Sequence, residues 1–99
     1  MLKTLEDLVN IIRERKSSLD ETSYTSKLLK DKSLSVEKVK EEIGELIEAI
    51  ENNSNKIHEA ADVLYHLLVY LEGNGVRIED IMDELEKRKK KKRVLKRLN

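Results

Sequence analysis

The sequence EAADVLYHLLVY, residues Glu59–Tyr70, decides the fold of this chain. Its apolar residues recur at helical spacing, but from Val63 to Leu71 they cover nearly the whole circumference of the helix rather than one stripe. A helix of this kind is buried nearly all round. A chain of 99 residues has too thin a core to cover both sides. We therefore predict that a second copy covers the other side, in a homodimer or a higher oligomer.

The composition of the whole chain favours helices. The sequence contains no Pro and three Gly, and charged residues make up 40% of it. Leu, Ile, Glu and Lys dominate, and all of them are good or tolerable helix residues. We predict an all-α protein, a four-to-five-helix bundle, with one domain at residues 1–90 and a basic C-terminal extension at residues 91–99.

Apolar periodicity and capping residues divide the chain into helices. The predicted helices are about 3–16, a short one containing Leu28 and Leu29, about 36–51, about 56–72 and one from about Ile78. Ser23 is the expected N-cap of the short helix, and Ser35 that of the next, after a loop at residues 31–35. Tyr24 is expected to pack its ring and leave its hydroxyl at the surface. The predicted buried stripe of the helix at 36–51 consists of Val36, Val39, Ile43, Leu46, Ile47 and Ile50.

Charge is distributed unevenly along the chain. Residues 1–86 contain all twenty Asp and Glu and eleven Lys and Arg, whereas residues 87–98 contain nine Lys and Arg and no acid. The acidic body argues against general nucleic-acid binding. The lack of Cys excludes disulfides and thiolate metal sites, and no apolar run is long enough to span a membrane. Because the N-terminus also lacks an apolar signal core, we expect a cytoplasmic protein.

Two predicted helices carry acidic pairs at helical spacing. Glu42 and Glu45 are three residues apart, as are Glu59 and Asp62, so each pair shares one face of its helix. If the two helices meet, the gathered carboxylates repel one another unless protons or a metal ion neutralise them. Oxygen ligands without Cys suit Mg²⁺ or Mn²⁺. The alternative is two solvated acidic faces, which is the commoner case for an isolated E-x-x-E motif.

Other polar residues have alternative interpretations. His66 follows Asp62 by one helical turn, and it is a substrate contact, a group that supports Asp62 from behind, or a buried neutral histidine bonded to Asp62. Of these the buried histidine is expected. Lys27, Arg15 and Lys16 are either exposed cations or contacts to phosphate.

Four segments of the sequence follow one another in an order typical of one protein family. They read SYTSKLL (23–29), KVKEEIGE (38–45), EAADVLYHLLV (59–69) and IEDIMDELEKR (78–88), and ERK at residues 14–16 also fits. Over about residues 5–90 the chain resembles phosphoribosyl-ATP pyrophosphatase. That family belongs to the all-α nucleoside triphosphate pyrophosphatases, whose mark is E-x-x-E followed by E-x-x-D.

The resemblance implies a helical oligomer, usually a dimer, that depends on Mg²⁺. It implies hydrolysis of the nucleotide phosphoribosyl-ATP to phosphoribosyl-AMP and pyrophosphate, the second step of histidine biosynthesis. The residues that it implies as metal ligands are Glu42, Glu45, Glu59 and Asp62. Glu41 or the ligand Glu42 is expected to orient the attacking water. The expected substrate contacts are Lys27, Arg15, Lys16 and His66.

Two other functions remain open at this stage. The family commonly has Gly where Lys40 stands and lysines where Leu34 and Glu37 stand, so the nucleotide could differ. One alternative is therefore house-cleaning hydrolysis of another (d)NTP by the same metal site. The other is a helical module that binds RNA or protein through the basic residues 87–97.

Overall fold

The computed structural model describes residues 1–18 and 22–90, which form five α-helices. These are α1 (Lys3–Ser17), α2 (Tyr24–Lys30), α3 (Lys32–Glu51), α4 (Lys56–Gly73) and α5 (Ile78–Lys89). Because these residues contain no strand, the predicted all-α class is confirmed. In the same part of the chain, no helix has the length and apolar character needed to cross a membrane. The predicted basic extension at 91–99 lies outside the described residues.

Helix α4 is the element on which the other helices assemble, because α1, α2, α3 and α5 all pack against it. It forms an antiparallel hairpin with α3 through the turn Asn52–Asn55. Within that turn Asn53 and Asn55 have φ angles of 52° and 55°. Asn adopts this left-handed conformation more readily than most residues other than Gly, so the turn can be short.

The core is small and lies where α1, α2 and α4 meet. Its buried members are Val9, Ile12, Leu28, Leu68 and Val69, and partly buried apolar residues pack around them. Val69, in the part of α4 that is apolar nearly all round, is almost fully buried. The apolar residues around α4 are therefore covered on more than one side by neighbouring helices.

The start of α3 differs from the prediction. The helix begins at Lys32, and the side chain of Asp31 caps it by accepting a hydrogen bond from the backbone N–H of Leu34 at 3.0 Å. The predicted loop at 31–35 and the predicted cap at Ser35 are wrong. Both Asp31 and Ser35 are favourable caps, but the earlier start adds a turn that packs Leu34 against the core and buries Ser35.

The inward face of α3 also differs from the prediction. Its buried residues are Ser35, Glu42 and Ala49, which recur every seven positions and so lie on one face. In contrast, Ile43, Ile47 and Ile50 of the predicted stripe are 41%, 53% and 57% exposed. Apolar periodicity indicates that these isoleucines avoid water, but it does not say whether their own chain or a second one covers them.

An ion-pair cluster joins α1, α4 and α5 at the end of α4 farthest from the turn. The guanidinium of Arg13 donates two hydrogen bonds to the carboxylate of Glu72, at 2.8 and 3.0 Å, and further ones to Glu79. The side chain of Glu72 is only 5% exposed, so its charge needs a partner within the protein. Hydrogen bonds from Arg13 lower the pKa of Glu72 and lower that of Glu79 to about 2.

We expect this cluster to make the stability of the fold fall in acid. Because both pKa values are lowered in the folded chain, the contribution is fully present above the ordinary pKa of 4.5 and is lost as the pH falls from there towards 2. Arg13→Ala leaves the buried charge of Glu72 unpaired. At pH 7 it should cost about 2 kcal/mol, which lowers Tm by roughly 10 °C in circular-dichroism melts.

At pH 3 the Tm difference between Arg13→Ala and the wild type should be smaller, because protonation weakens the pairing in the wild type too. Arg77→Ala is the matched control, since the exposed side chain of Arg77 forms an ion pair with the exposed Glu79. An equal Tm difference at both pH values would contradict the assignment.

Candidate active site

Four carboxylates from α3 and α4 converge near the turn of the hairpin. Glu42, Glu45 and Glu59 each offer one oxygen, and these oxygens lie within 4.8 Å of one another. Glu59 also belongs to a second group of the same size with Asp62 and His58. Each acidic pair spans one turn of its helix, and the packing of α3 on α4 brings the two pairs together. We call Glu42, Glu45, Glu59 and Asp62 the carboxylate cluster.

The carboxylate cluster is partly withdrawn from water and incompletely paired. Glu42 is only 9% exposed. Among the described residues, the Oε2 atoms of Glu42 and Glu59 are buried and have no hydrogen-bond partner. Burial raises the pKa of Glu42, the carboxyls of Glu45 and Asp62 raise it further, and His66 opposes this. Such atoms are costly to bury, so the cluster favours a proton or a cation as an additional partner.

The donor set of the cluster fits a hard divalent cation. All four members are carboxylates, which Mg²⁺ and Mn²⁺ prefer, and within the described part of the chain two of their oxygens are buried without a donor. The structure thus brings together the four residues that the sequence predicts as metal ligands. Metal binding by them stays a prediction.

His66 lies on α4, one turn after Asp62, and is 7% exposed. Its Nδ1 is 2.8 Å from the backbone carbonyl oxygen of Asp62, and its Nε2 is 2.9 Å from the hydroxyl of Tyr24. Because a carbonyl only accepts, Nδ1 carries the hydrogen, and in neutral His66 the hydroxyl of Tyr24 donates to Nε2. The histidine is buried and bonded to Asp62 as expected, but through the backbone rather than the carboxylate. The prediction of a surface hydroxyl for Tyr24 is wrong.

Lys38 lies at the rim of the cluster and is not among the predicted site residues. Its ammonium donates to the carboxylate of Glu41 at 3.2 Å and acts electrostatically on Glu42 and Tyr24. Glu41, a predicted catalytic residue, is exposed and lies about 100° from Glu42 around the axis of α3. The available signal for Lys38 was its position four residues before Glu42 on one helix.

His58 is a second residue at the cluster that the sequence did not single out. It is exposed, and its Nε2 lies 3.4 Å from the carboxylate of Asp62. The signal was again a spacing of four residues on α4, but any exposed helix offers many such pairs.

The predicted phosphate contacts are dispersed. Lys27 is exposed on α2, one turn after Tyr24, whereas Arg15 is exposed on α1. The ammonium of Lys16 donates to the backbone carbonyl of Glu72 at 2.7 Å. Glu72 follows Glu59 by thirteen residues, which is roughly 20 Å along α4. The structure therefore places Lys27 on the helix that packs beside the cluster and Lys16 at the other end of α4.

Comparison with known proteins identifies the family. A sequence model described as Phosphoribosyl-ATP pyrophosphohydrolase matches residues 5–89. The chain belongs to this family. A protein from Methylobacterium nodulans named phosphoribosyl-ATP pyrophosphatase is 44% identical over 93 residues, which cover 86% of this chain and 82% of the relative. A protein of the same name from Leptospira biflexa is 43% identical, covering 88% of this chain and 95% of the relative. The resemblance drawn from the sequence segments is confirmed.

A further member of the comparison is a longer protein. The histidine biosynthesis bifunctional protein HisIE of Thermotoga maritima is 41% identical over 87 residues. The match covers 85% of this phosphoribosyl-ATP pyrophosphohydrolase family chain but 44% of the longer protein.

The crowding of the carboxylates generates a prediction about stability. Glu42→Gln should raise the Tm of the protein in EDTA at pH 7 by roughly 3–8 °C. The change removes one repelling charge from a buried position, and the new amide can donate to the carboxylates of Glu45 and Glu59. Circular-dichroism melts measure the effect. Glu37→Gln, an exposed position on the same helix, is the control and should leave Tm unchanged; a lower Tm for Glu42→Gln would contradict the repulsion.

Proposed function

We propose that this chain hydrolyses phosphoribosyl-ATP to phosphoribosyl-AMP and pyrophosphate in the cytoplasm, the second step of histidine biosynthesis, with Mg²⁺ as cofactor and Mn²⁺ as a substitute. The observation that carries the proposal is the carboxylate cluster. An E-x-x-E pair and an E-x-x-D pair converge from two helices, and two of their buried oxygens have no hydrogen-bond partner in residues 1–18 and 22–90. Membership of the family and relatives named phosphoribosyl-ATP pyrophosphatase support the substrate.

The cluster residues take distinct roles in this proposal. The cation is held by the four members of the carboxylate cluster, Glu42, Glu45, Glu59 and Asp62. His66 supports Asp62 through the hydrogen bond to its backbone carbonyl. When bound, Mg²⁺ supplies positive charge that neutralises the triphosphate and polarises a water molecule. Either Glu42 or the exposed Glu41 beside it orients the water that attacks at the α,β linkage. The bond to the β-phosphate then breaks and pyrophosphate leaves.

The predicted substrate contacts differ in how close they lie to the cluster. Lys38 at the rim and Lys27 on α2 would attract the charged substrate in this proposal, and both retain exposure to solvent. Both ring nitrogens of His66 are engaged, which favours support of Asp62 over direct substrate contact. Arg15 and Lys16 lie on α1, so their predicted contact with the substrate is not supported by the single chain.

We also propose that the chain forms a homodimer through the apolar side of the α3–α4 hairpin. Ile43, Ile47 and Ile50 of α3 are each more than 40% exposed, and Ile57 and Leu64 of α4 are 89% and 52% exposed. We call these five residues the isoleucine face. Ile47 lies about 140° around α3 from Glu42, so this face and the cluster occupy different sides of the helix. Several large apolar side chains on neighbouring helices are typical of a protein interface.

Loss of cluster carboxylates should abolish turnover without unfolding the chain. Glu42→Gln and Asp62→Asn are expected to lower kcat for Mg²⁺-dependent pyrophosphate release from phosphoribosyl-ATP by at least about a hundredfold, because each removes a ligand charge. Glu37→Gln, an exposed acid outside the cluster, should retain activity within about twofold. Activity that persists in EDTA, or in both cluster variants, would rule out the site. Faster turnover of dNTPs by the wild type would instead favour house-cleaning hydrolysis.

A charge in the isoleucine face should prevent dimerisation. Ile47→Glu and Leu64→Glu are expected to convert a dimeric wild type to monomer at tens of micromolar, as measured by sedimentation equilibrium, because a buried unpaired carboxylate opposes association. Ile11→Glu is the control, since Ile11 is 46% exposed on α1, outside this face. A monomeric wild type, or variants that remain dimeric, would contradict the proposed interface.

A further inference from the structure

Aromatic side chains are scarce in this chain and two of them lie beside the carboxylate cluster. The sequence contains three Tyr and no Phe or Trp. The ring of Tyr24 on α2 stacks on that of Tyr65 on α4, with centroids 6.3 Å apart and planes at 21°. Both rings meet the imidazole of His66 edge-on, at 5.8 and 5.0 Å. We call Tyr24, Tyr65 and His66 the aromatic trio.

Hydrogen bonds fix the orientation of the trio. The hydroxyl of Tyr24 is bonded to Nε2 of His66 at 2.9 Å, and the hydroxyl of Tyr65 is bonded to that of Thr25. Two consecutive residues of α2 are therefore fastened to two consecutive residues of α4. The ring of Tyr24 is held at its hydroxyl end and along one face, so it can meet a ligand with little loss of conformational entropy.

Tyr24 itself is partly exposed to solvent. Tyr24 is 46% exposed, whereas Tyr65 and Tyr70 are both more buried. Since the ring of Tyr65 stacks on that of Tyr24, a ligand that stacks on Tyr24 has to approach from the opposite face. Tyr24 is thus the one exposed tyrosine among residues 1–18 and 22–90.

This exposed ring lies at the rim of the cluster. The hydroxyl of Tyr24 is close enough to Lys38, Glu42 and Glu41 for their charges to act on it. The imidazole of His66 connects this hydroxyl by hydrogen bonds to the backbone of Asp62. A ligand whose phosphates occupy the cluster would therefore bring its remaining groups towards the ring.

We infer that Tyr24 is a specificity-determining residue whose ring, on the face opposite Tyr65, stacks on the purine base of the nucleotide. The inference rests on the proposed function, because it requires a nucleoside polyphosphate at the cluster. A purine presents a flat π-face of similar size, and stacking on one aromatic ring strengthens binding by roughly 5- to 150-fold. The hydroxyl then serves to hold the ring, while the ring itself contacts the substrate.

A polar cavity bordered by Glu45 and Glu59 of the cluster is the competing position for the base. It has a volume of about 280 Å³ and is lined by Glu45, Glu48, Ala49, Asn52, Ser54, Asn55 and Glu59. It offers amides and a hydroxyl but no ring, so a base bound there would be held by hydrogen bonds. An Asn52→Ala variant separates the two positions.

The test compares a ligand that has a base with one that lacks it. Isothermal titration calorimetry in Mg²⁺ measures binding of ATP and of inorganic triphosphate to the full chain. Tyr24→Leu should weaken ATP binding by roughly 5- to 150-fold and leave triphosphate binding within about twofold. Tyr24→Phe keeps the ring and should change both by less than about threefold, and Tyr70→Phe and Asn52→Ala should change neither.

Each other outcome overturns the inference. If Tyr24→Leu weakened the binding of ATP and of triphosphate equally, the residue would only maintain the shape of the site. Equal losses of ATP binding in Tyr24→Leu and Tyr24→Phe would assign the effect to the hydroxyl. A loss confined to Asn52→Ala would place the base in the polar cavity. If the wild type binds neither ligand, the proposed function fails together with this inference; if it binds both and Tyr24→Leu weakens neither, the stacking alone fails.

Discussion

Repulsion among carboxylates held between α3 and α4 is the constraint on which the rest of the structure depends. Glu42 is almost buried, and its neighbours Glu45, Glu59 and Asp62 carry the same charge. Left alone, these groups would drive the two helices apart. The apolar circumference of α4 opposes this, because α1, α2 and α5 also pack against it and hold it in place. The fold is therefore organised so that one strongly anchored helix can carry a destabilising site.

The two ends of α4 treat buried acids in opposite ways. Glu72, near the C-terminal end where the helix dipole disfavours negative charge, has a lowered pKa because Arg13 binds it with two hydrogen bonds. Glu42, which faces the other end, has a raised pKa because burial and like charges outweigh the effect of His66. An acid that has its cation within the chain serves the fold. Acids whose buried oxygens lack any donor among the described residues are those that favour a ligand from outside.

How much the sequence could predict depended on the range of each interaction. Spacings within single helices indicate both the acidic pairs and the helix at Glu59–Tyr70, so the sequence alone predicts them. The bond between Tyr24 and His66 joins residues 42 positions apart on different helices, so no local spacing indicates it. The start of α3 was ambiguous for another reason, since two good capping residues stand four positions apart and only packing of Leu34 chooses between them.

The error over α3 has a physical meaning for the proposed enzyme. Apolar periodicity predicts which residues avoid water, but it does not say whether their own chain or another covers them. If Ile43, Ile47 and Ile50 faced α4, Glu42 would lie in solvent. Its repulsion of the other carboxylates would then be screened, and a cation would gain little from binding it. Turning Glu42 inward forces Ile43, Ile47 and Ile50 outward, where they are more than 40% exposed. On this argument the carboxylate cluster and the proposed dimer are two consequences of one rotation of α3, so the site is built at the cost of an apolar face that a second chain then covers.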